Sequence, residues 1–195
     1  MNPEPVMLFG RVIRLEPLAR EHVDAMLPAA LEPALWLHTT NRIEDRADLV
    51  RYIDAAIAER AAGTGIPFAT VVAATGEVIG STRFGNIVPE YWRAEIGWTW
   101  LAGKWQRTAA NTEAKLLMLQ HAFETWGMRR IEFKTSARND KSRAALLRLG
   151  AVEEGILRRH MTHADGSSRD SVYFSIISEE WPAVKARLMA RLDGD

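Results

Sequence analysis

Between residues 45 and 62 the apolar positions Leu49, Tyr52, Ile53, Ala56 and Ile57 recur at helical spacing, and Gly63 follows them. This pattern predicts a helix over Asp45 to Ala62. Upstream, Arg11 to Leu15 alternates as a short strand, and Ala19 to Ala30 reads as a helix with Glu21, His22 and Asp24 on its wet side. Pro28 and Pro33 are expected to break the chain there. Phe68 to Ala73 and Val78 to Phe84 are apolar runs around Thr75-Gly76-Glu77, a hairpin signal. Arg93 to Leu101 alternates again; strict alternation puts Ile96, Trp98 and Trp100 on one face, with Glu95, Gly97, Thr99 and Leu101 opposite.

Downstream, Leu116, Leu119, Phe123 and Trp126 form a stripe on a helix from about Thr112 to Trp126, which Gly127 ends. Arg130 to Thr135 is a short strand. Asn139 or Asp140 caps a helix that runs through Leu149 and is closed by Gly150. Ala151 to Met161 and Ser168 to Ile177 are strands around Ala164-Asp165-Gly166, and Glu179 to Leu192 is a terminal helix. Hairpin strands followed by strand, helix, strand, helix and a closing hairpin imply an α/β (α+β mixed) fold: a mixed sheet with helices on both faces.

Composition narrows the function classes. At 195 residues, with 47% hydrophobic and 26% charged residues, the chain suits one domain over 1–195. Lys plus Arg equals Asp plus Glu at 25 each, so no overall field favours nucleic acid or an anionic membrane. The absence of cysteine removes disulfides, zinc-thiolate sites and a cysteine nucleophile together. The start MNPEPVMLFGRV lacks a basic segment followed by an apolar run, and no apolar stretch approaches membrane-spanning length. A cytoplasmic protein is the default expectation.

The chemistry concentrates between Trp105 and Lys115, where a small-residue turn passes into a helix. Ala109 and Ala110 let a ligand approach the main chain, and the first helical N–H groups lack intrahelical acceptors. Such a start can bind a pyrophosphate or be only a capped loop. Asn111 is a further possible cap. Lys104 and Arg107 flank the loop, and Lys141 and Arg143 lie beyond it; all four are candidates for phosphate charge. His160 and His163 sit in a strand and turn with no cysteine nearby, so no metal is expected. Zinc-protease, serine-hydrolase and P-loop patterns are missing.

Three sets of residues carry a family resemblance: Glu95-Ile96-Gly97-Trp98-Thr99-Trp100; Gln106-x-x-Ala109-x-Asn111 leading into Thr112-Glu113-Ala114; and Asn139-x-x-Ser142 with Leu149-Gly150-Ala151 and Glu154-Gly155. In this order the chain, from Gly10 to about Leu192, resembles the GNAT N-acetyltransferase superfamily. Within it the likeness is to the branch typified by ribosomal-protein N-terminal acetyltransferases. The resemblance implies a splayed central sheet of about seven strands and acetyl-CoA as co-substrate, with no metal. It implies that Gln106, Arg107, Thr108, Ala109, Ala110, Asn111 and Thr112 bind the pyrophosphate. The family's usual Gln/Arg-x-x-Gly-x-Gly/Ala is altered here to Ala109 and Asn111, so the loop must avoid a left-handed angle at 109.

By the same resemblance, Trp98, Thr99 and Trp100 offer main-chain groups to the pantetheine and an N–H to the oxyanion, and Asn139 bonds the pantetheine arm. Ser142 serves as general acid to the departing thiolate, and Glu95 as a base through water. Residue by residue, Glu95 can equally be a salt-bridge partner of Arg83, Asn139 a helix cap, and the tryptophans core. The reaction needs a neutral amine. An α-amine of pKa about 8 costs roughly 1.4 kcal/mol to deprotonate at pH 7, a lysine roughly 4.6. Trp36 and His38, between the first two helices, are candidates to line the acceptor pocket, or to clamp the sheet. The expected partners are acetyl-CoA, an amine acceptor (peptide N-terminus, amino acid or small amine) and a second copy of the chain. A non-catalytic acyl-CoA-binding module is the alternative.

Overall fold

Alternating segments of the sequence become strands of one open sheet in the computed structural model, which describes residues 4–194. The strands are β1 (Leu8–Phe9), β2 (Ile13–Pro17), β3 (Ile66–Val72), β4 (Val78–Val88), β5 (Arg93–Leu101), β6 (Arg130–Ser136), β7 (Val152–Thr162) and β8 (Ser168–Ile177). They lie in the order β1-β2-β3-β4-β5-β6-β8-β7, antiparallel at every step except β5 to β6. The sheet has eight strands rather than about seven, because the two-residue β1 pairs with β2 at the edge.

Five helices cover it: α1 (Val23–Ala30), α2 (Arg46–Ala61), α3 (Ala109–Gln120), α4 (Asp140–Leu149) and α5 (Trp181–Gly194). On one face Ile13, Phe68, Phe84, Ile96 and Phe133 pack with Met118 of α3, Leu146 of α4 and Leu188 of α5. On the other, Val71 and Trp100 pack with Met26 of α1 and Leu49 and Ile53 of α2. Pro28 does not break the chain. It lies inside α1, which ends two residues later at Ala30, so it removes one N–H from the last turn without stopping the helix there, and Pro33 opens a short 3-10 turn.

Two local features depart from strict periodicity. In β5 the register shifts between Ser81/Trp100 and Arg83/Gly97, so three steps on β5 oppose two on β4. Trp98 takes φ +50 in this bulge. The extra residue turns Trp98 and Trp100 onto the face that carries Glu95 and Gly97, while Ile96 and Leu101 go to the other core. Glu95 is therefore on the same side as the tryptophans, contrary to alternation. Gly85 permits this: a Cβ there would lie 2.4 Å from the Trp98 ring.

The second feature is Glu113 of α3, 3% exposed, whose carboxylate accepts from the main-chain N–H groups of Arg11 (2.8 Å), Val12 (2.8 Å) and Ile13 (2.7 Å). It ties α3 to the entry of β2, and Gly10 leaves it room, since a Cβ there would meet the carboxylate at 2.4 Å. Charge-assisted bonds of this kind are stronger than neutral ones. We expect Glu113→Gln to lower stability by about 2 kcal/mol, read as a drop in urea midpoint with unchanged m-value. An unchanged midpoint would deny the clamp its role.

Candidate active site

β5 and β6 pair in parallel at only three positions, Arg93/Arg130, Ala94/Ile131 and Glu95/Glu132. Beyond Glu95 the two strands part, each still paired on its far side, so a wedge opens in the middle of the sheet. The crossover from β5 to β6 runs through α3, which sets the start of that helix at the open end of the wedge. Past the bulge, the β5 peptide groups up to Leu101 face the gap on one side, and exposed Thr99 stands among them.

The loop into α3 differs in detail from its sequence reading. The helix begins at Ala109, not Thr112, and its cap is Thr108, whose hydroxyl accepts from the Ala110 N–H (3.3 Å) and donates to the Trp105 carbonyl (2.8 Å). Asn111 is thus inside the first turn and does not cap it; its Oδ1 is buried without a partner. The one left-handed residue of the loop is Arg107, φ +64, so Ala109 is spared that angle. Ala110 turns its methyl into the core and Thr112 sits one turn in, which leaves main-chain N–H groups as the donors at the helix start.

Gln106 bridges the two walls of the wedge. Its amide nitrogen donates to the Leu101 carbonyl at 2.9 Å, and its oxygen accepts from Lys141 of α4. Lys104 is engaged by Glu77 at 2.7 Å and Arg143 by Glu153 at 3.3 Å, which leaves exposed Arg107 as a loop cation with no acidic partner among the described residues. N–H donors, a dipole end and a nearby guanidinium suit a pyrophosphate.

Across the wedge, Asn139 caps α4, its Oδ1 accepting from the Ser142 N–H at 3.0 Å. That spends the oxygen and leaves the amide N–H pair. Ser142 is half-buried in the first turn. Glu95, 3% exposed, does not meet Arg83. Its Oε2 accepts from Asn86 Nδ2 at 2.8 Å and lies 3.4 Å from Lys134 Nζ. Arg83 pairs instead with Glu59 at 2.8 Å, its guanidinium over the rings of Tyr52 and Trp98.

A groove of about 280 Å³ lies beside these rings, lined by Asn41, Asp48, Tyr52, Glu59, Arg83 and Trp98 among others. Trp36 does not line it. Its indole N–H donates to the Ala30 carbonyl at 2.7 Å and its ring packs on Tyr52 and Trp100 in the core, which is the clamp arrangement. His38 is half-buried in the same α1 to α2 segment.

Three charged residues of this region gave no signal in the sequence. Lys115 of α3 is 7% exposed and donates to Thr99 Oγ1 (2.8 Å) and Thr82 Oγ1 (3.3 Å), and burial alone pushes its amine down to about 7. Lys134 borders Glu95 and stands over the Tyr173 ring. Arg169 of β8 is 7% exposed. Single charges at strand or helix positions look solvated in a sequence, because only the packed neighbours decide burial. Glu154, of the quoted Glu154-Gly155 pair, has a structural place. Arg130 and then Ser175 hold its carboxyl down at about 2 and tie β7 to β6 across β8.

A model of the acetyltransferase (GNAT) domain matches residues 13–152. A Bacillus subtilis protein, YdaF, whose name includes the words ribosomal N-acetyltransferase, is 31% identical over 110 residues, 56% of this chain and 59% of that one. The chain spans about three fifths of the length of the curated relatives it matches. A GCN5-related N-acetyltransferase from Brucella melitensis is similar at a TM-score of 0.90 and 32% identity, over 97% of this chain and 86% of that one. RimJ of Mycobacterium smegmatis, solved in complex with CoA-disulfide, has a TM-score of 0.80 and 26% identity, over 97% and 95% of the two chains. With the family match covering most of its length and the same fold in these relatives, the chain belongs to the GNAT acetyltransferase family and is similar to its RimJ branch.

Proposed function

We propose that the protein transfers an acetyl group from acetyl-CoA to a primary amine by direct attack in a ternary complex. The observation that carries this is the wedge. A strand edge freed at Glu95 leads to a helix start rich in unpaired N–H groups, and a buried carboxylate stands at the vertex. In this reading the first turn of α3 with Arg107 holds the pyrophosphate, and the β5 edge from Trp98 to Trp100 with the Asn139 amide holds the pantetheine.

The amine approaches from the face of α1 and α2, where Glu95 points. Glu95 accepts the proton released as the C–N bond forms, directly or through one water. A main-chain N–H of the Trp98 bulge supports the charge on the carbonyl oxygen. The Ser142 hydroxyl gives its proton to the sulfur as the C–S bond breaks and regains one from solvent, while Glu95 releases the amine's proton to solvent, so the products are a neutral amide and a thiol and both side chains return to their starting states.

Thiol release from acetyl-CoA across a panel of peptides, amino acids and small amines tests the reaction, with longer acyl-CoAs as donors to define the acyl preference. Release with at least one acceptor is expected. We expect Ser142→Ala to lower kcat about tenfold while the KM for acetyl-CoA changes by less than about twofold. Tight acetyl-CoA binding with no release from any acceptor would leave only an acyl-CoA-binding module.

A further inference from the structure

On the face of the sheet that carries Glu95 apolar packing covers only one side, and the other is a buried polar floor in which Ser136 is 1% and Ser171 0% exposed. The apolar cluster beneath α1 and α2 takes in β3 and β5 but no residue of β6 or β8. Lys134 pairs in register with Tyr173, and Ser136 with Ser171. With Phe133, Val172 and Phe174 turned into the opposite core, alternation puts Lys134, Ser136, Arg169, Ser171 and Tyr173 on the Glu95 side. His163, in the turn after β7, reaches the Thr39 carbonyl at 3.4 Å, so this polar floor is bracketed by the β7 to β8 turn and the α1 to α2 segment.

The floor is not electrically balanced. Glu95 is matched by Lys134 at 3.4 Å. Arg169 is left over: it is 7% exposed, its Nε is fully buried with no hydrogen-bond partner among the described residues, and of these the charge of Glu95 and the phenol of Tyr173 act in its favour against burial. Two residues along, the Ser171 hydroxyl is also buried without a partner. A desolvated guanidinium that lacks an acceptor is costly, and a planar fork of N–H donors is suited to a carboxylate.

We propose that Arg169, with Lys134 and Ser171 beside it, is an anion subsite of the acceptor pocket, and that the acceptor is an amine carrying a carboxylate close to the reacting nitrogen. This rests on the acetyl-transfer reading for the identity of the reaction, not for the existence of the subsite. The carboxylate belongs either to a free amino acid or to an acidic side chain near a peptide N-terminus. In either case the amine comes to lie toward Glu95 and the anion toward Arg169.

Matched acceptors that differ only in this charge decide it: an amino acid against its amide, and peptides with Asp or Glu at the second position against Asn or Gln. The wild-type protein is expected to favour the charged member of one pair by about thirtyfold in kcat/KM. Arg169→Gln should remove that preference by slowing the charged member alone, with the KM for acetyl-CoA unchanged, and Arg169→Lys should restore part of it. Equal use of both members by the wild type, or equal loss on both in Arg169→Gln, would overturn the subsite. Calorimetry with N-acetylalanine and N-acetylalaninamide in the presence of CoA reads the subsite without turnover. If no amine released CoA thiol, yet the acid bound about tenfold tighter than the amide in an Arg169-dependent way, the transfer reading would fail and the subsite would stand. Equal binding of acid and amide, together with equal binding of N-acetylated peptide amides that carry Asp or Asn at the second position, would reject the subsite even in an active enzyme.

Discussion

Glu95→Gln should lower kcat/KM for the acceptor about 10²- to 10³-fold at pH 7, with the fold and the affinity for acetyl-CoA preserved. Glutamine keeps the size of the side chain and an oxygen for Asn86 Nδ2, which donates to Glu95 at 2.8 Å. What disappears is the negative charge that can take a proton at the vertex of the wedge. The deficit should narrow toward high pH, because a larger share of the amine is already neutral and hydroxide replaces the missing base. A pH profile of kcat/KM for both proteins reads this directly. Near wild-type activity at pH 7, or a deficit that stays constant up to pH 10, would mean that Glu95 only neutralises Lys134, 3.4 Å away.

Lys115→Met should stabilise the protein, by about 3 kcal/mol or roughly 10 °C in Tm, at pH 6 to 7. Burial pushes the Lys115 amine from its ordinary 10.5 down to about 7, with hydroxyls rather than carboxylates around it. Between these two values the unfolded chain binds a proton that the folded one does not, so wild-type stability rises with pH across that window. Below pH 7 the folded protein must carry the buried charge and the penalty is complete; above about 10.5 it is gone. The gain from methionine is therefore largest in acid and fades as pH rises to 10.5. Denaturant titrations of both proteins at pH 6, 8 and 10 test the sign. A Met variant that is less stable at pH 6 would show that the two threonine hydroxyls compensate the charge.

Both residues bear on how far the chain could be read in advance. The period of apolar residues was enough for α2, for the hairpin of β3 and β4, and for the end of α4 at Gly150; α3 instead stops at Gln120 and passes into a π-helical turn over His121–Thr125 before Gly127. These are local properties: a helix or a tight turn is decided by residues three or four positions apart. Through the family resemblance they carry, the ordered motifs from Glu95 to Ser142 also led to the expectation of a splayed sheet with a helix start suited to phosphate at its open end. On α3 the expected stripe was only partly right. Leu119 and Trp126 are buried, but Leu116 and Phe123 are only half-buried at the margin of the same core, while Ala110, Ala114 and Met118 are buried within it. The helix is packed on two sides, with Phe123 stacked on Trp181 of α5, and a two-sided helix has no single apolar stripe to read.

The sequence by itself determined the fold class, the order of the elements, the family and which short segments border the wedge. Only the tertiary structure decided the faces and partners: that one extra residue at Trp98 brings Glu95 and two tryptophans to the same side, that Thr108 rather than Asn111 caps α3, and that Glu95 meets Lys134 and not Arg83. It alone revealed that Lys115 and Arg169 are buried. A bulge, an ion pair between distant strands and the desolvation of a charge depend on residues brought together from far along the chain, and no local period records them.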